Sequence, residues 1–257
     1  MIDLAMFEDG VARITLDNAP ANTFDAKTLL ELKDHLLELD REGRVRAIVI
    51  TGRGEKFFSA GAELREFSTG DKEHARTMAI RFGAAFEALQ EVRAVTIAAI
   101  NGFAMGGGLE CALCCDIRIA EEHAIMGLPE ASVGLLPGGC GTQTLPWLIG
   151  EGWAKRIILT NERVDAALAL RIGLVEEVVA RGQGLSKAVE IAQRVKTLSP
   201  HAVASSKELI HLARRAVPRT AALAVEREKF MDLFDGENSR EGVSAFLNKR
   251  KPVWKVG

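Results

Sequence analysis

Val95-Thr-Ile-Ala-Ala-Ile-Asn-Gly-Phe-Ala-Met-Gly-Gly-Gly-Leu-Glu110 is the stretch that decides the fold. Its first six residues are apolar or β-branched and predict a strand that is buried on both faces. Glycines at 102 and 106–108 predict a tight turn, which leads into a helix at Gly107 or Gly108. A strand, a glycine turn and a helix in this order indicate an α/β fold.

The same order of elements recurs on both sides of this stretch. Alternating apolar and polar residues indicate half-buried strands, and leucines at helical spacing indicate helices, the first with Asp25 as its N-cap. Strands are predicted at 11–16, 46–51 and 116–120, helices at 25–39 and 74–93, and a loop rich in glycine and proline at 127–141.

Beyond Thr142 the pattern predicts an almost wholly helical chain. The candidate helices are 185–198, 201–216, 219–234 and 239–249. We therefore divide the chain into a core over 1–184, which carries the site, and a helical region over 185–257, which serves a separate purpose.

The composition narrows the class of protein. The chain has 257 residues, of which 47% are hydrophobic, enough for one sizeable core. Its 33 basic and 35 acidic residues nearly cancel, so no nucleic-acid partner is expected. Acidic Asp3, Glu8 and Asp9 and the absence of a basic start followed by an apolar run argue against a secretory leader. No apolar stretch is long enough to span a bilayer, so we expect no membrane contact, and the cysteines described next lead us to expect a cytoplasmic protein.

The four cysteines, Cys111, Cys114, Cys115 and Cys140, are grouped within thirty residues. Their apolar and glycine-rich surroundings do not resemble a secreted disulfide framework, and we expect them to be reduced. The spacing Cys111-x-x-Cys114 also fits a redox motif, but inside an apolar helix we favour buried structural thiols.

The glycine turn and Glu110 form the first candidate site. Glycines allow a ligand atom to approach the backbone closely, and the free N–H groups at a helix start, with Gly107 the preferred one, suit a negatively charged oxygen. A phosphate-binding loop or a packing turn are the alternatives, although the Gly-Lys-Ser/Thr ending of a P-loop is absent. Glu110 fits a helix-capping carboxylate, and its apolar neighbours also fit a general acid or base with a raised pKa.

Glu130 is the second candidate acid. It follows Pro129 in the loop after the next strand, where a solvated carboxylate is the ordinary interpretation. Two carboxylates from adjacent strand–helix units can also converge on one pocket, and a pair in different environments divides acid and base work.

Several segments, in order, resemble the enoyl-CoA hydratase/isomerase, or crotonase, superfamily. Together the matching segments extend over nearly the whole chain. In chain order they are Phe58-Ser-Ala-Gly-Ala62, Ala99–Glu110, 116–142, the overlapping loop Pro137-Gly-Gly-Cys-Gly-Thr-Gln143, and Ser239-Arg-Glu-Gly-Val-Ser-Ala-Phe246. The resemblance implies a crotonase-like spiral of β-β-α repeats, with 185–257 as a helical region that builds a trimer, which in similar proteins is often paired into a hexamer.

The resemblance also implies roles for residues of the site. The N–H groups of Ala62 and Gly107 would hold the thioester oxygen, and Glu110 and Glu130 would bracket a water molecule. The implied reaction is hydration of a 2-enoyl-CoA to a 3-hydroxyacyl-CoA. Coenzyme A is part of that substrate, and no separate cofactor or metal is implied. The positions expected to bind substrate or coenzyme A are Ala60, Gly61, Leu64, Gly106, Pro129 and Gly138.

Basic residues near this loop and at the end of the chain are candidates for contact with the phosphates, and solvated surface charge is the alternative for each of them. They are Lys56, Arg65, Lys249, Arg250 and Lys251. Cys140 and Trp147 depart from the commonest family pattern and are expected to affect the acyl pocket or a subunit contact.

Other reactions of the superfamily remain open at this point, namely double-bond isomerisation, thioester hydrolysis and decarboxylation. A non-catalytic acyl-CoA-binding or RNA-binding scaffold is the alternative of another class. The retained pair of glutamates favours hydration.

Overall fold

The structure is a computed structural model that describes residues 1–7 and 10–255. Glu8 and Asp9, used above in the argument on the leader, and the last two residues of the 185–257 region lie outside the described residues. The strands are β1 (Ile2–Phe7), β2 (Val11–Leu16), β3 (Ala47–Gly52), β4 (Phe57–Ser59), β5 (Val95–Ile100), β6 (Phe103–Met105), β7 (Ile117–Glu121), β8 (Ile125–Gly127), β9 (Val164–Asp165) and β10 (Glu177–Val179). The helices are α1 (Ala26–Glu42), α2 (Lys72–Glu91), α3 (Gly107–Leu113), α4 (Gly141–Thr160), α5 (Ala166–Ile172), α6 (Gly184–Lys196), α7 (Pro200–Leu212), α8 (Arg219–Asp232) and α9 (Glu237–Leu247), with 3₁₀ turns at Leu64–Phe67 and Glu130–Val133.

Two sheets share the strands. One has the order β1-β2-β3-β5-β7-β10, and the other has the order β4-β6-β8-β9. Each turn of the chain adds a strand to the first sheet, a strand to the second, and then a helix, as in β3-β4-α2 and β5-β6-α3. Neighbouring strands of successive turns pair in parallel. The spiral of β-β-α repeats implied by the resemblance is therefore confirmed.

Both faces of the larger sheet are covered. Strand β3 is buried along its whole length, which explains its nearly continuous apolar sequence. Ile48 and Ile50 belong to the main core with the leucines of α1, whereas Val49 on the opposite face packs in a cluster that contains Ala188 and Ala192 of α6. Helix α6, the first of the 185–257 region, thus lies against the sheet.

Local signals fixed the ends of helix α1. The side chain of Asp25 accepts a hydrogen bond from the backbone N–H of Thr28 at 2.7 Å, as its position before the leucine pattern predicted. The helix ends at Gly43, whose φ of 67° suits a residue without Cβ.

The prediction of an almost wholly helical chain beyond Thr142 is wrong in two places. Strands β9 and β10 lie within that region, and β10 closes the larger sheet by pairing with β7. Four strands were also missed earlier, namely β1 at the start of the chain, β4, β6 inside the glycine turn and β8 at the start of the second loop. Apart from β1, which has six residues and pairs with β2, each missed strand has two or three residues, too few for a periodic pattern, and is held by pairing with a distant strand.

The last helices are less enclosed. The buried Lys207 on α7 donates to the carbonyl oxygen of Ala94 at 3.0 Å and pairs with Asp116 at 2.8 Å, which ties this helix to the core. Helix α8 buries none of its side chains, and Phe230, Phe234 and Phe246 are largely exposed. Among the helices described, none has the length and apolarity needed to cross a membrane.

Candidate active site

A cleft of about 230 Å³ brings most of the predicted site residues together. It lies between α2, the start of α3 and the segment that follows β8. A larger cavity of about 540 Å³ beside α7 is lined by none of the predicted site residues. The cleft is lined by Ala62, Phe67, Ala75, Ala79, Phe82, Gly107, Glu110, Glu130, Leu135, Leu136, Gly138 and Gly139.

Glu110 lies in the first turn of α3 and is almost completely buried. Its Oε1 atom accepts three backbone hydrogen bonds, from the N–H groups of Gly139 and Cys140 at 2.8 Å and of Gly141 at 2.7 Å. Each side-chain hydrogen bond that Glu110 makes with residues 1–7 and 10–255 is to Oε1, and none is to Oε2. One oxygen therefore fixes the carboxylate, and the other is available to a ligand in the cleft.

Glu130 occupies a different environment at the start of its 3₁₀ turn. Its Oε2 atom is buried and lacks a hydrogen-bond partner within the described part of the chain. Burial raises the pKa of Glu130 to about 7, and the nearby negative charge of Glu110 acts in the same direction. A carboxyl group with this pKa exchanges a proton readily near neutral pH, as general acid–base catalysis requires.

The backbone N–H groups of Ala62 and Gly107 face the same cleft. A Cβ atom built on Gly107 would lie 3.6 Å from the nitrogen of Ala62, so the two peptide units are close neighbours. Neither N–H donates to an acceptor among the described residues, although the flanking N–H of Glu63 bonds to Phe24 at 2.9 Å. Two adjacent unpaired donors in a cleft can hold one oxygen atom.

Two glycines permit this close approach. Gly61 has a φ of 93°, and a Cβ atom there would lie 2.6 Å from the carbonyl oxygen of Met105. Gly106 has a φ of 53°, and a Cβ atom there would lie 3.0 Å from Oε1 of Glu130. Both positions have a backbone conformation that favours glycine; at Gly61 there is also no space for a side chain, and at Gly106 a side chain would press on Glu130.

The other predicted binding positions surround the cleft without all facing it. Gly138 is part of its lining. Pro129 precedes Glu130 and accepts a hydrogen bond from Ser132 at 2.9 Å. The N–H of Ala60 is already bonded to Ala21 at 2.9 Å, so only its carbonyl group remains for a ligand, and the side chain of Leu64 is exposed.

The candidate phosphate-binding residues lie at the surface. Lys56 lies over the ring of Phe57 at 5.3 Å, and Arg65 is exposed in the 3₁₀ turn after Ala62. Arg250 is paired with Glu241, which also lowers the pKa of that carboxyl group to about 2. Lys249 and Lys251 are exposed on either side of Arg250. Of the five, Arg250 is the one that forms an ion pair with an acid among the residues that the structure describes.

The cysteine thiols are free and lie behind Glu110. Cys111, Cys114 and Cys115 are buried, and burial raises the pKa of Cys115 to about 12 and those of the other two well above the usual value. The sulfur atoms of Cys114 and Cys140 are 3.1 Å apart. Thiols that resist ionisation make poor nucleophiles, which supports a structural role.

Sequence reasoning missed two parts of the site. The first is the set of N–H groups at Gly139, Cys140 and Gly141 that holds Glu110, for which the glycines at the start of α4 were the available signal. The second is the apolar wall formed by α2 and by Leu135 and Leu136. Within the described residues, no group of three or more His, Cys, Asp or Glu side chains is placed to hold a metal ion.

Comparisons with known proteins place this geometry in a family. The profile of enoyl-CoA hydratase/isomerase matches residues 6–257. The short-chain-enoyl-CoA hydratase of Clostridium acetobutylicum is 39% identical over 245 residues, which are 95% of this chain and 94% of that protein.

Solved structures agree with this match. Pseudomonas aeruginosa DspI is 56% identical with a TM-score of 0.96, over 99% of this chain and 96% of that one. The enoyl-CoA hydratase of Bacillus anthracis is 36% identical with a TM-score of 0.95, over 100% and 99% of the two chains. The chain therefore belongs to the enoyl-CoA hydratase/isomerase family of enzymes, within the crotonase superfamily.

Proposed function

We propose that the protein is an enoyl-CoA hydratase, which adds water across the 2,3 double bond of a 2-enoyl-CoA to give a 3-hydroxyacyl-CoA. The observation that carries the proposal is the convergence on one cleft of two carboxylates and of two N–H groups that donate to none of the described residues. Glu110 and Glu130 are the acids, and Ala62 and Gly107 carry the N–H groups. The names of the relatives support the same reaction.

The N–H groups act on the thioester. Attack of water at Cβ moves negative charge onto the thioester oxygen, and each fixed donor lowers such a barrier by about 3 kcal/mol. Because Ala62 and Gly107 donate to no described residue, they meet this oxygen without first breaking a bond inside the protein.

The two acids move the protons. The free Oε2 of Glu110 orients the water molecule and takes its proton, while the carboxyl group of Glu130 gives its proton to Cα. One proton then passes from Glu110 to Glu130, which restores the starting state. The cleft supplies each part of this cycle, since Glu110 is fixed by three N–H groups and Glu130 has a pKa of about 7.

Coenzyme A is a covalent part of the proposed substrate, and the protein binds it together with the acyl group. We assign Ala60, Gly61 and Leu64 to binding of coenzyme A, and Gly106, Pro129 and Gly138 to contacts near the reacting carbons. The resemblance supports these roles. Further support is that Gly138 lines the cleft and that Gly61 and Gly106 lie close to Gly107 and to Glu130, respectively. The proposed reaction uses no further cofactor.

Loss of the enoyl-thioester absorbance on mixing with crotonyl-CoA tests the proposal directly. We expect hydration, and we expect Glu130→Gln to lower kcat/KM by about 10²–10⁴, the usual contribution of a general acid. Glu38→Gln, an exposed carboxylate of α1, is the matched control. Absence of hydration with crotonyl-CoA and with longer enoyl thioesters would reject the proposal and direct the assay to thiol release and isomerisation.

Self-association and location complete the proposal. We assign 185–257 to assembly of a trimer or hexamer, with support from the exposed aromatic residues of α8 and α9. We also place the protein in the cytoplasm, in agreement with its free cysteines. Light scattering on a sizing column tests the assembly, and a monomer at micromolar concentration would contradict it.

A further inference from the structure

The cleft has a reactive end and an apolar end, and the apolar end is not used by the proposed chemistry. The reactive end holds Glu110, Glu130 and the N–H groups of Ala62 and Gly107. The apolar end is formed on one side by Phe67 and α2 and on the other by the segment after Glu130. Its lining residues are Phe67, Ala75, Ala79, Phe82, Leu135 and Leu136.

The side chains of α2 that line the cleft differ in size along the helix. Ala75, Ala79 and Phe82 follow each other at spacings of four and three residues, so they form one stripe on the helix. Phe82 is buried beside the reactive end, where a Cβ atom built on Gly107 would lie 2.9 Å from its ring. The two alanines occupy the next two turns and leave space where larger side chains would close the cleft.

The opposite wall is apolar and faces water. Leu135 is 42% exposed and Leu136 is 70% exposed. Leucine side chains that line a cleft and remain this exposed gain free energy when an apolar ligand covers them. The cleft therefore offers, besides its reactive end, apolar surface that an acyl chain can cover.

The volume sets a scale for the acyl group. A water molecule takes up about 30 Å³, and a methylene group needs a similar space, so 230 Å³ holds about seven or eight such groups. The attacking water, the thioester carbonyl, Cα and Cβ use about five of these places. A four-carbon acyl chain leaves part of this space empty, and a chain of more than about six carbons fills it and reaches the exposed part of the lining, which includes Leu136.

We infer that the protein selects medium-chain enoyl thioesters, of about eight to ten carbons, over the four-carbon substrate, with Ala75 and Ala79 setting the acyl length that the cleft accepts and Leu135 and Leu136 covering its outer part. This inference rests on the proposed function for its thioester substrate and deepens it by naming the length of the chain. The four residues determine specificity and take no part in proton transfer.

The first experiment measures kcat/KM for a series of 2-enoyl-CoAs from four to twelve carbons. We expect an increase of about two- to fourfold for each added methylene up to eight or ten carbons, because each methylene leaves water for a partly or fully apolar contact. A constant kcat/KM, or a maximum at four carbons, would overturn the inference.

Variants of the two walls make the assignment specific. Ala79→Phe places a ring in the apolar end, and we expect it to lower the ratio of kcat/KM for ten carbons to that for four carbons by at least about tenfold, the value of roughly two methylene contacts. Leu136→Ala removes outer apolar surface and should lower the same ratio severalfold. Thr77→Phe is the matched control, since Thr77 is an exposed residue of α2 that does not line the cleft. An unchanged ratio in Ala79→Phe, or an equal loss in Thr77→Phe, would contradict the assignment.

Binding of saturated acyl-CoAs separates this inference from the proposed reaction. Calorimetry with butyryl-, octanoyl- and decanoyl-CoA requires no turnover, and we expect Kd to fall with chain length in the parent and to change less in Ala79→Phe. If this pattern is found and no enoyl-CoA is hydrated, the proposed function fails and the inference stands. If hydration is found and Kd does not change with chain length, the inference fails and the proposed function stands.

Discussion

Helix α3 and the 3₁₀ turn at Glu130 each bring a carboxylate to the same cleft, and they surround it in opposite ways. Glu110 on α3 has one oxygen bound by three backbone N–H groups. Glu130 has a buried oxygen with no hydrogen-bond partner in the described ranges, and its pKa is raised to about 7. Two identical side chains thus acquire different properties from their backbone surroundings, which divides acid and base work between them.

The contrast predicts that the two residues differ most in their effect on stability. Glu110→Ala leaves the N–H groups of residues 139–141 without their acceptor, and we expect the free energy of unfolding to fall by about 2–4 kcal/mol. Glu110→Gln retains an acceptor oxygen and should lose less than half of that amount, although its hydratase activity should fall by about 10²–10⁴. Urea denaturation of both variants measures the difference. Equal midpoints for Glu110→Ala and the parent would contradict a stabilising role of the Glu110 carboxylate.

The pH dependence of turnover provides the next test. The proposed active state has Glu130 protonated and Glu110 ionised, so kcat/KM should fall as the pH rises through about 7, the pKa of Glu130, by about tenfold per pH unit. Hydration releases no net proton, so its equilibrium constant does not change with pH. The kcat/KM for dehydration of the 3-hydroxyacyl-CoA must therefore decrease above pH 7 in the same way.

A pantetheine thioester, which lacks the phosphates of coenzyme A, is the control for this profile. The limb near pH 7 should persist with this substrate, because we assign it to the protein. A limb that disappears with pantetheine thioesters, or a flat profile between pH 6 and 8, would count against the role of Glu130.

The smallest expected effect is on the stability of Glu130→Gln. The fold favours the neutral form of Glu130, whose pKa is raised from 4.5 to about 7, so its contribution to stability is present below about pH 4.5 and is lost as the pH rises through about 7. After allowance for solvent screening, the ionised group costs about 1–2 kcal/mol at pH 8.5.

Glu130→Gln should therefore melt about 3–6 °C above the parent at pH 8.5 and within about 1 °C of it at pH 4.5. Scanning calorimetry at the two pH values measures this difference. Glu110→Gln is the variant to compare with it. In that variant the N–H groups of residues 139–141 lose their charged acceptor, so it should melt below the parent at both pH values. A variant of Glu130 that is destabilised at pH 8.5 would remove the distinction between the two carboxylates.

The parts of the molecule that the sequence predicted are those that neighbouring residues determine. Strand β5 and the start of α3 lie where the pattern predicted them, and Asp25 caps α1 as expected. Each of these depends on contacts within a few residues, or on a run of apolar residues long enough to show a period. Glu110 and Glu130 were found because glycine and proline mark the turns that carry them.

The parts that were missed depend on contacts between distant segments. The N–H groups of residues 139–141 meet Glu110 only after α4 has packed against α3, and no local pattern encodes that contact. Strand β10 has three residues and exists because β7 is available to pair with it. The alanines of α2 fit the ordinary pattern of a helix, and they become part of a cleft only together with residues that are distant in sequence, such as Leu136.

The buried thiols behind Glu110 have a consequence for how the protein is handled during refolding. Cys111, Cys114 and Cys115 are shielded in the native state, and this shielding depends on long-range contacts such as the pairing of Ala47 with Val95 and the packing of α4. Contacts between distant segments form slowly, and until they form the thiols are in water, where they ionise and react with oxidants. Recovery of native protein after dilution from denaturant will therefore depend on a reductant, whereas folding shields Cys111, Cys114 and Cys115 from water.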